Sequence, residues 1–302
     1  MTDESTGQPK RTTLPMAAQP GSTSPPPQGP VSRAIPGVKH IIAVGAGKGG
    51  VGKTTVSVNL AIALSRSGNR VGIIDADVYG PNIPIMLGLD AQLESDGKKI
   101  VPAEKFGLQV VSMGFLTSAD APIIWRGPML HGVVRQFFQD VRWGELDYLV
   151  VDMPPGTGDV ALSLSQTVPV SGAIVVTTPQ TVSLADSRRA IAMYKKLEIS
   201  TLGIIENMSH YVCPSCDHGS DIFGEGGGQR VADELNVPFL GRIPIYTPIR
   251  VGSDTGVPLV TSEEDSPAAR AFLDTSERIT AQVSMTGHET RSAEASTNVQ
   301  SS

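Results

Sequence analysis

The sequence predicts an α/β protein built on a doubly wound, mostly parallel β-sheet. Short runs rich in Val, Ile and Leu alternate with helical patterns along the chain, and this alternation is typical of β-α-β units. Several runs are apolar throughout, as expected for strands that helices cover on both faces. A glycine-rich segment directly follows the first run and leads into a helical pattern. Ligands of such sheets bind at the carboxyl ends of the strands.

Seven strands and two helices have the clearest patterns. The strands are predicted at residues 40–44, 70–74, 108–113, 148–151, 173–177, 202–205 and 239–242. One helix is predicted at residues 53–67, where Gly68 and Asn69 end it, and the other at residues 184–197, where apolar positions fall three and four apart. Polar residues that follow these strands should meet at one rim of the sheet.

Composition limits the functional classes. The chain has 302 residues, enough for one large domain, and its formal net charge of −6 argues against a nucleic-acid partner. The two cysteines exclude a disulfide framework and favour the reducing cytoplasm. There is no apolar run of membrane-spanning length and no signal-peptide pattern, so we expect no membrane partner.

The two ends differ from the middle of the chain. Residues 1–37 contain eight of the 23 prolines and lack apolar periodicity, which predicts a disordered proline-rich leader. Residues 284–302 are polar and predict a disordered tail. The segment between them, residues 38–283, is predicted to be one domain that holds both the glycine-rich segment and the cysteines.

The glycine-rich segment matches the phosphate-loop pattern G-x-x-x-x-G-K-[ST], which defines a P-loop NTPase. Its glycines allow positive φ angles and a close approach of the backbone to phosphates. Lys53 should reach the β- and γ-phosphates, and the Thr54 hydroxyl should bind Mg²⁺. The predicted ATP-binding residues of the loop are Gly47, Lys48, Gly49, Gly50, Val51, Gly52, Lys53, Thr54 and, for the α-phosphate, Thr55.

Three aspartates follow predicted strands and complete the expected magnesium and water site. Asp152 closes an apolar run, where a carboxylate that holds Mg²⁺ is expected. Asp75 and Asp77 are two residues apart, so both carboxylates face the same side of an extended segment. We assign Asp77 to orienting the attacking water and Asp75 to the metal shell; the reverse division is the alternative.

The base is predicted to be adenine, because no Asn-Lys-x-Asp segment for guanine recognition is present. Asn207, after the predicted strand 202–205, is the candidate for a hydrogen bond to adenine, with the loop after Arg242 as the second wall. The competing interpretation of Asn207 is a buried structural residue.

Cys213 and Cys216 form a C-x-x-C pair, which places two sulfurs on one side of a turn. Three interpretations compete. A two-fold dimer would supply the four thiolates of an iron–sulfur cluster; zinc would take the same four sulfurs or recruit His210 and His218; a redox dithiol is the third. The nearby glycines favour an exposed loop, which suits a cluster that must leave.

Lys48, at the second position of the loop, gives a pattern that resembles the deviant Walker A motif of the dimeric ATPases that include MinD, ParA-type partitioning proteins and the nitrogenase iron protein. Further segments narrow this resemblance: DADVYGPNIP at 75–84, WRGPM at 125–129, ENMS at 206–209, CPSC at 213–216 and IFGEGG at 222–227. With them, the chain from about Lys39 to Ala281 resembles the Mrp/ApbC family of iron–sulfur cluster carrier ATPases.

The resemblance implies an ATP-binding homodimer that carries a [4Fe–4S] cluster bridged by Cys213 and Cys216 of each subunit and passes it to apo-proteins. It implies a cross-subunit role for Lys48 and places Lys53, Asp77 and Asp152 at the ATP site with Thr54. Catalysis would then depend on the positive charge of Lys48, Lys53 and Mg²⁺, with water positioned by Asp77. Asp217 is a departure, since a glycine commonly follows the second cysteine; the proline-rich leader is another.

Two other classes of protein with the same kind of phosphate loop are alternatives to a cluster carrier. A spatial-organisation ATPase of the MinD or ParA type, with a structural zinc at the C-x-x-C, predicts an amphipathic membrane helix or a basic surface, and the acidic chain offers neither. An electron-transfer reductase draws its cluster ligands from separated segments, which a single C-x-x-C disfavours. Cluster transfer coupled to ATP is therefore the leading hypothesis.

Overall fold

The computed structural model describes residues 32–78, 80–91, 94–116, 127–156, 158–213, 216 and 218–300. Within these ranges the strands are β1 (Val38–Ala46), β2 (Val71–Asp75), β3 (Glu94–Ser95), β4 (Ile100–Val101), β5 (Ala103–Lys105), β6 (Leu108–Ser112), β7 (Leu146–Asp152), β8 (Gly172–Thr177), β9 (Thr201–Val212), β10 (Gly219–Ser220) and β11 (Phe239–Ile245). The helices are α1 (Lys53–Arg66), α2 (Ile83–Leu87), α3 (Gly127–Gln139), α4 (Gly158–Thr167), α5 (Thr181–Lys196), α6 (Gly227–Leu235), α7 (Thr247–Thr255), α8 (Leu259–Ser262) and α9 (Pro267–Gln300).

The main sheet has the strand order β10-β9-β8-β1-β7-β2-β6-β5, and β11 pairs with β9. The pairs among β11, β9, β8, β1, β7, β2 and β6 are parallel, whereas β5 and β10 add antiparallel pairs. The strands β3 and β4 form a separate antiparallel pair. This arrangement confirms the predicted mostly parallel sheet, and it brings the carboxyl ends of β1, β2 and β7 to one rim.

Helices cover both faces of the sheet, because successive residues of each central strand point to opposite sides. In β1, Ile41 belongs to the core under α3–α6 and Ile42 to the core under α1, α2, α8 and α9. The first core contains Phe137, Trp143 and Tyr194; the second contains Leu60 and Phe272. Burial of each such large apolar side chain contributes about 1.5–3 kcal/mol. The two cores therefore fix the positions of the central strands, and with them the carboxyl ends of β1, β2 and β7.

All seven predicted strands and both predicted helices are present, and the largest difference is in β9. Its apolar run ends at Ile205, yet the strand continues to Val212. Residues 206–212 are mostly polar, but they pair with β11 and then with β10. Backbone pairing with these neighbours therefore extends the strand beyond its apolar pattern. None of the helices in the described ranges combines the length and the apolar character that a membrane crossing requires.

The chain ends also differ from prediction. From residue 284 onward, where disorder was expected, α9 continues to Gln300. Residues 284–300 contain no proline and one glycine, so the sequence has no strong stop signal for the helix. Residues 1–31 of the predicted leader lie outside the described residues. The last part of that leader packs on the domain, since Ile35 is buried and the Arg33 amide donates to the Thr167 carbonyl at 3.0 Å.

Asp147 ties three central strands together near their amino ends, and its replacement should lower stability. Its carboxylate accepts from Lys39 Nζ at 2.8 Å and from the backbone amide of Arg70 at 2.8 Å. The Lys39 ammonium, the Arg70 amide and the Arg70 guanidinium hold the pKa of Asp147 well below its usual range. We expect Asp147→Asn to cost about 1 kcal/mol, a shift of roughly 2–4 °C in Tm at neutral pH.

The pH dependence of this difference follows from linkage. A carboxylate with a lowered folded-state pKa stabilises the protein above the unfolded-state pKa, and the contribution is lost as pH falls toward the folded-state value. The difference in Tm between wild type and Asp147→Asn should therefore be constant above about pH 5, begin to shrink below about pH 4 and continue to shrink as the pH falls toward the folded-state pKa. Asp254→Asn, which removes a surface ion pair with Arg250, is the matched control and should change Tm little. Equal shifts in the two variants would contradict the assignment.

Candidate functional site

The phosphate loop follows β1 and leads into α1. Gly50 and Gly52 have φ angles of 79° and 78°, in the left-handed region that favours glycine. A Cβ on Gly50 would meet no atom within 4 Å, and one on Gly49 would meet only Pro155 Cγ at 3.9 Å. The backbone here therefore borders open space, as a phosphate cradle requires.

Lys53 and Asp152 form the buried centre of the site. Lys53 Nζ donates to Asp152 Oδ2 at 2.6 Å, and the two side chains are 6% and 0% exposed. The Thr54 hydroxyl donates to the same oxygen at 2.8 Å. Asp152 closes β7 in register with Val44 of β1, so the sheet itself places the carboxylate under the loop. The Thr54 hydroxyl and the Asp152 carboxylate thus place two oxygen ligands side by side, which is the kind of ligand that a magnesium ion prefers.

Asp75, which the sequence predicts to support the metal shell, accepts three hydrogen bonds from the chain around it. Its two carboxylate oxygens accept from the amide of Asp77 at 3.3 Å, the amide of Ile83 at 3.1 Å and the hydroxyl of Ser112 at 2.9 Å. Burial and the neighbouring Asp152 carboxylate raise the pKa of Asp75 to about 7. Since its oxygens are engaged in holding the segment that follows β2, Asp75 acts in this structure as a positioning residue for Asp77 and α2.

Asp77, which the sequence predicts to orient the attacking water, lies beside Lys53. Its Oδ2 is 3.7 Å from Lys53 Nζ, and the side chain is 12% exposed. The cavity in front of the loop, of about 230 Å³, is lined by Asp77 together with Lys48, Gly49, Gly50, Gly52, Lys53, Thr54, Thr55, Asn82, Met86 and Pro155. The structure thus gathers most of the predicted nucleotide residues around one cavity, with an open cradle, a buried ammonium and a carboxylate at its edge.

Replacement of Asp77 should separate ATP binding from hydrolysis. We expect Asp77→Asn to slow single-turnover hydrolysis about 10²–10⁴-fold, the usual contribution of a positioned general base, and to change the ATP dissociation constant much less. Asp75→Asn is the comparison, because Asp75 supports the loop and its loss should lower Tm as well as activity. If Asp75→Asn alone stopped hydrolysis in a protein of normal Tm, the reverse division of roles would hold.

Asn207 contacts the phosphate loop directly. Its Nδ2 donates to the Val51 carbonyl at 2.8 Å, and the residue is buried. A Cβ on Gly52 would lie 2.3 Å from that nitrogen, so glycine at 52 permits the contact. The contact fits the structural alternative; a hydrogen bond to adenine stays a prediction. After Arg242 the chain continues in β11, and Tyr246, together with Thr247 and Pro248 at the start of α7, lines an apolar cavity of about 540 Å³.

Several site residues were missed by the sequence reasoning. Ser57 donates to Asp152 Oδ1 at 2.6 Å, so Asp152 is held from both sides. Ser57 lies four residues after Lys53, which is one helical turn, and that spacing was the available signal. Ser112 and Ile83, which hold Asp75, come from separate segments, and no local pattern marks them.

The cysteine pair lies in the hairpin that joins β9 to β10. The amide of Cys213 donates to the His218 carbonyl at 3.0 Å, and β9 then pairs with β10. Cys213 is half-buried, Cys216 is exposed, and both carry thiols rather than a disulfide. No group of three or more His, Cys, Asp or Glu suited to a metal ion occurs among the described residues. Pro214, Ser215 and the departure Asp217 lie outside those residues, as do Trp125 and Arg126 of the WRGPM segment.

Comparisons with known proteins agree with this geometry. Residues 37–280 match the family model described as NUBPL iron-transfer P-loop NTPase. The chain is 50% identical over 262 residues to the iron-sulfur cluster carrier protein of Synechocystis sp., which covers 85% of this chain and 74% of that protein.

Solved structures show the same fold. A nucleotide-binding protein from Archaeoglobus fulgidus, in complex with ADP, aligns with a TM-score of 0.67 at 37% identity over 78% of this chain and 92% of that one. The cell division ATPase MinD of Pyrococcus furiosus aligns with a TM-score of 0.61 at 25% identity over 80% and 98%.

Proposed function

The chain belongs to the NUBPL iron-transfer P-loop NTPase family, and we infer from this membership that it binds iron–sulfur clusters and transfers them to apo-proteins, coupled to ATP binding and hydrolysis. The observation that carries this function is the presence, in one chain, of a phosphate loop with its buried Lys53–Asp152 pair and of two thiols in the connection from β9 to β10. The Synechocystis relative is named as an iron-sulfur cluster carrier. The name agrees with a half-buried and an exposed thiol in one loop and with a cluster that is cargo rather than a resident group.

The number of thiols favours a homodimer. A [4Fe–4S] cluster requires four thiolates, and Cys213 and Cys216 supply two. A two-fold axis through the hairpin tips would bring the second pair from another copy of the chain. Because Cys216 is exposed, its thiolate can bind a cluster shared with a second subunit, and the cluster can be released to an acceptor protein. A cytoplasmic location is part of the proposal, because the thiols need a reducing compartment.

The chemistry proposed for the nucleotide site is charge stabilisation of phosphoryl transfer. Lys53 is buried against Asp152, so its ammonium is desolvated and fixed in position, which strengthens its interaction with a phosphate. Asp77, at the cavity edge, positions the water, and Lys48 is proposed to reach a nucleotide on the partner subunit. Mg²⁺, held by Thr54 and Asp152, would supply further positive charge at the phosphates.

The spatial-organisation alternative has less support. Its fold is the same, as the MinD likeness shows, but the named carrier relative is far more similar in sequence. A single-chain zinc site at His210 and His218 would need a group of ligands that the described residues do not form. ATP-dependent co-sedimentation with lipid vesicles would favour this alternative.

Anaerobic reconstitution with iron and sulfide tests the proposal. We expect a broad visible charge-transfer band and about four irons per dimer. We also expect delivery of the cluster to an apo-enzyme that requires a [4Fe–4S] cluster, measured by the activity that the enzyme regains. A colourless protein that retains stoichiometric zinc after the same treatment would overturn the carrier function and leave an ATPase with a structural metal.

A further inference from the structure

One strand, β9, physically joins the nucleotide site to the cysteine hairpin. It carries Asn207 at the phosphate loop and ends one residue before Cys213. Glu206 precedes Asn207, and both are in regular register with β11, opposite Arg242 and Ile243. Neighbouring residues of a strand point to opposite faces. Asn207 and Glu206 thus contact different neighbours, and because they are adjacent in one strand, a displacement of Asn207 also displaces Glu206.

Glu206 holds the return path of the cysteine loop. Its Oε2 accepts from the Gly228 amide at 2.5 Å, in the first turn of α6. The segment between the hairpin and α6 is residues 221–226, so Gly228 follows directly where the loop rejoins the domain. The N-cap of α6 is Gly226, which has no side-chain cap. The Glu206 carboxylate thus supplies from β9 the cap that the helix lacks, and its charge complements the positive end of the helix.

The contact is tightly packed. A Cβ on Gly228 would lie 3.0 Å from Glu206 Cβ, and one on Gly227 would lie 2.6 Å from Leu184 Cδ1. The start of α6 is therefore packed directly against Glu206 of β9 and Leu184 of α5, with no room for side chains at Gly227 and Gly228, and close-packed elements transmit small displacements. A movement of the phosphate loop can therefore reach Gly228, where the chain that follows the cysteines enters α6, through the contacts of Asn207 and Glu206.

The second carboxylate oxygen of Glu206 is buried without a hydrogen bond. The side chain is 0% exposed, and Oε1 has no hydrogen-bond partner. Arg242 Nε lies 3.6 Å from Oε1, and the Arg242 side chain is 44% exposed. A buried carboxylate with one engaged oxygen and one loosely paired oxygen is costly to keep, so its energy is sensitive to small changes in the distance between β9 and its neighbours.

We propose that Glu206 is a positioning residue that couples the phosphate loop to the cysteine hairpin, so that the bound nucleotide changes how firmly the cluster is held. This inference rests on the proposed carrier function. Glu206 touches neither phosphate nor thiol; its effect acts through Gly228 on one side of β9 and through Asn207 on the other.

The test compares the rate at which a chelator removes the cluster from reconstituted protein in ATP and in ADP. We expect the removal rates of wild type in ATP and in ADP to differ by at least about fivefold. In Glu206→Gln, which keeps an acceptor for the Gly228 amide but removes the charge, we expect the two rates to be nearly equal. ATP hydrolysis of the same variant should stay within about twofold of wild type. Asp233→Asn on α6, whose carboxylate bonds only Gln229 among its described partners, is the matched control and should keep the wild-type ratio.

A purely structural role would lower Tm and leave the ratio unchanged, and that result would overturn the coupling. A wild-type ratio of one would overturn it as well. Should Glu206→Gln fail to fold, Arg242→Gln tests the same ion pair from its exposed side and is expected to move the ratio in the same direction. Wild type that holds no cluster would refute the carrier function itself, so the two failures are distinguishable.

Discussion

Cys213→Ser and Cys216→Ser should each reduce cluster transfer to below about a tenth of the wild-type amount, because a serine hydroxyl is a poor substitute for a thiolate on iron. The two thiols are the full complement of the chain, so no third cysteine can replace a lost ligand. ATP hydrolysis should remain, since the described contacts of the phosphate site do not include the hairpin. Transfer to an apo-acceptor and the visible spectrum after reconstitution measure the loss.

Two further variants make this result specific. His218→Ala changes the same loop without removing sulfur, and only its carbonyl is bonded to Cys213, so it should retain the cluster. His210→Ala should also retain it. Loss of metal in either histidine variant, with both thiols intact, would indicate that the chain uses a zinc site of mixed ligands instead of a shared cluster.

Much of the fold was predictable because its central strands are continuous apolar runs. β1, β2, β7 and β8 are buried on both faces, so each strand shows in the sequence as a run of Val, Ile and Leu. The polar half of β9 was not predictable, because its pairing depends on β11 and β10, which lie later in the chain. The end of α9 was not predictable either, because residues 284–300 are mostly polar and such a composition is typical of disordered segments.

The candidate site shows the same division between local and distant information. The phosphate loop, Lys53 and Asp152 follow from a motif and from the end of an apolar run, and the structure brings them together. The role of Asp75 depends on Ser112, 37 residues away in sequence, and the contact of Asn207 with Val51 spans 156 residues. Such contacts are set by the sheet order, so residue type alone left two roles open for each side chain.

Lys53→Ala should lower ATP hydrolysis by about 10²–10³-fold, the usual loss when a fixed charge at a transition state is removed. The variant also leaves Asp152 and Asp77 without their shared cation, so a lower Tm is expected. Lys195→Ala removes an exposed lysine near the end of α5 and is the control for a simple change of charge. Activity of Lys53→Ala close to that of Lys195→Ala would refute the assignment of the nucleotide site.

A mixing experiment extends this prediction to the dimer. If Lys48 acts on the nucleotide of the partner subunit, a heterodimer of Lys48→Ala and Lys53→Ala subunits has one complete site, because one subunit supplies Lys53 and the other supplies Lys48. Random mixing of the two inactive variants should then restore about a quarter of wild-type hydrolysis, since half of the dimers are mixed and each has one working site. If Lys48 serves its own subunit, both sites of the heterodimer lack a lysine and no activity returns. The recovered rate therefore decides between a phosphate site completed by a second chain and one contained in a single chain.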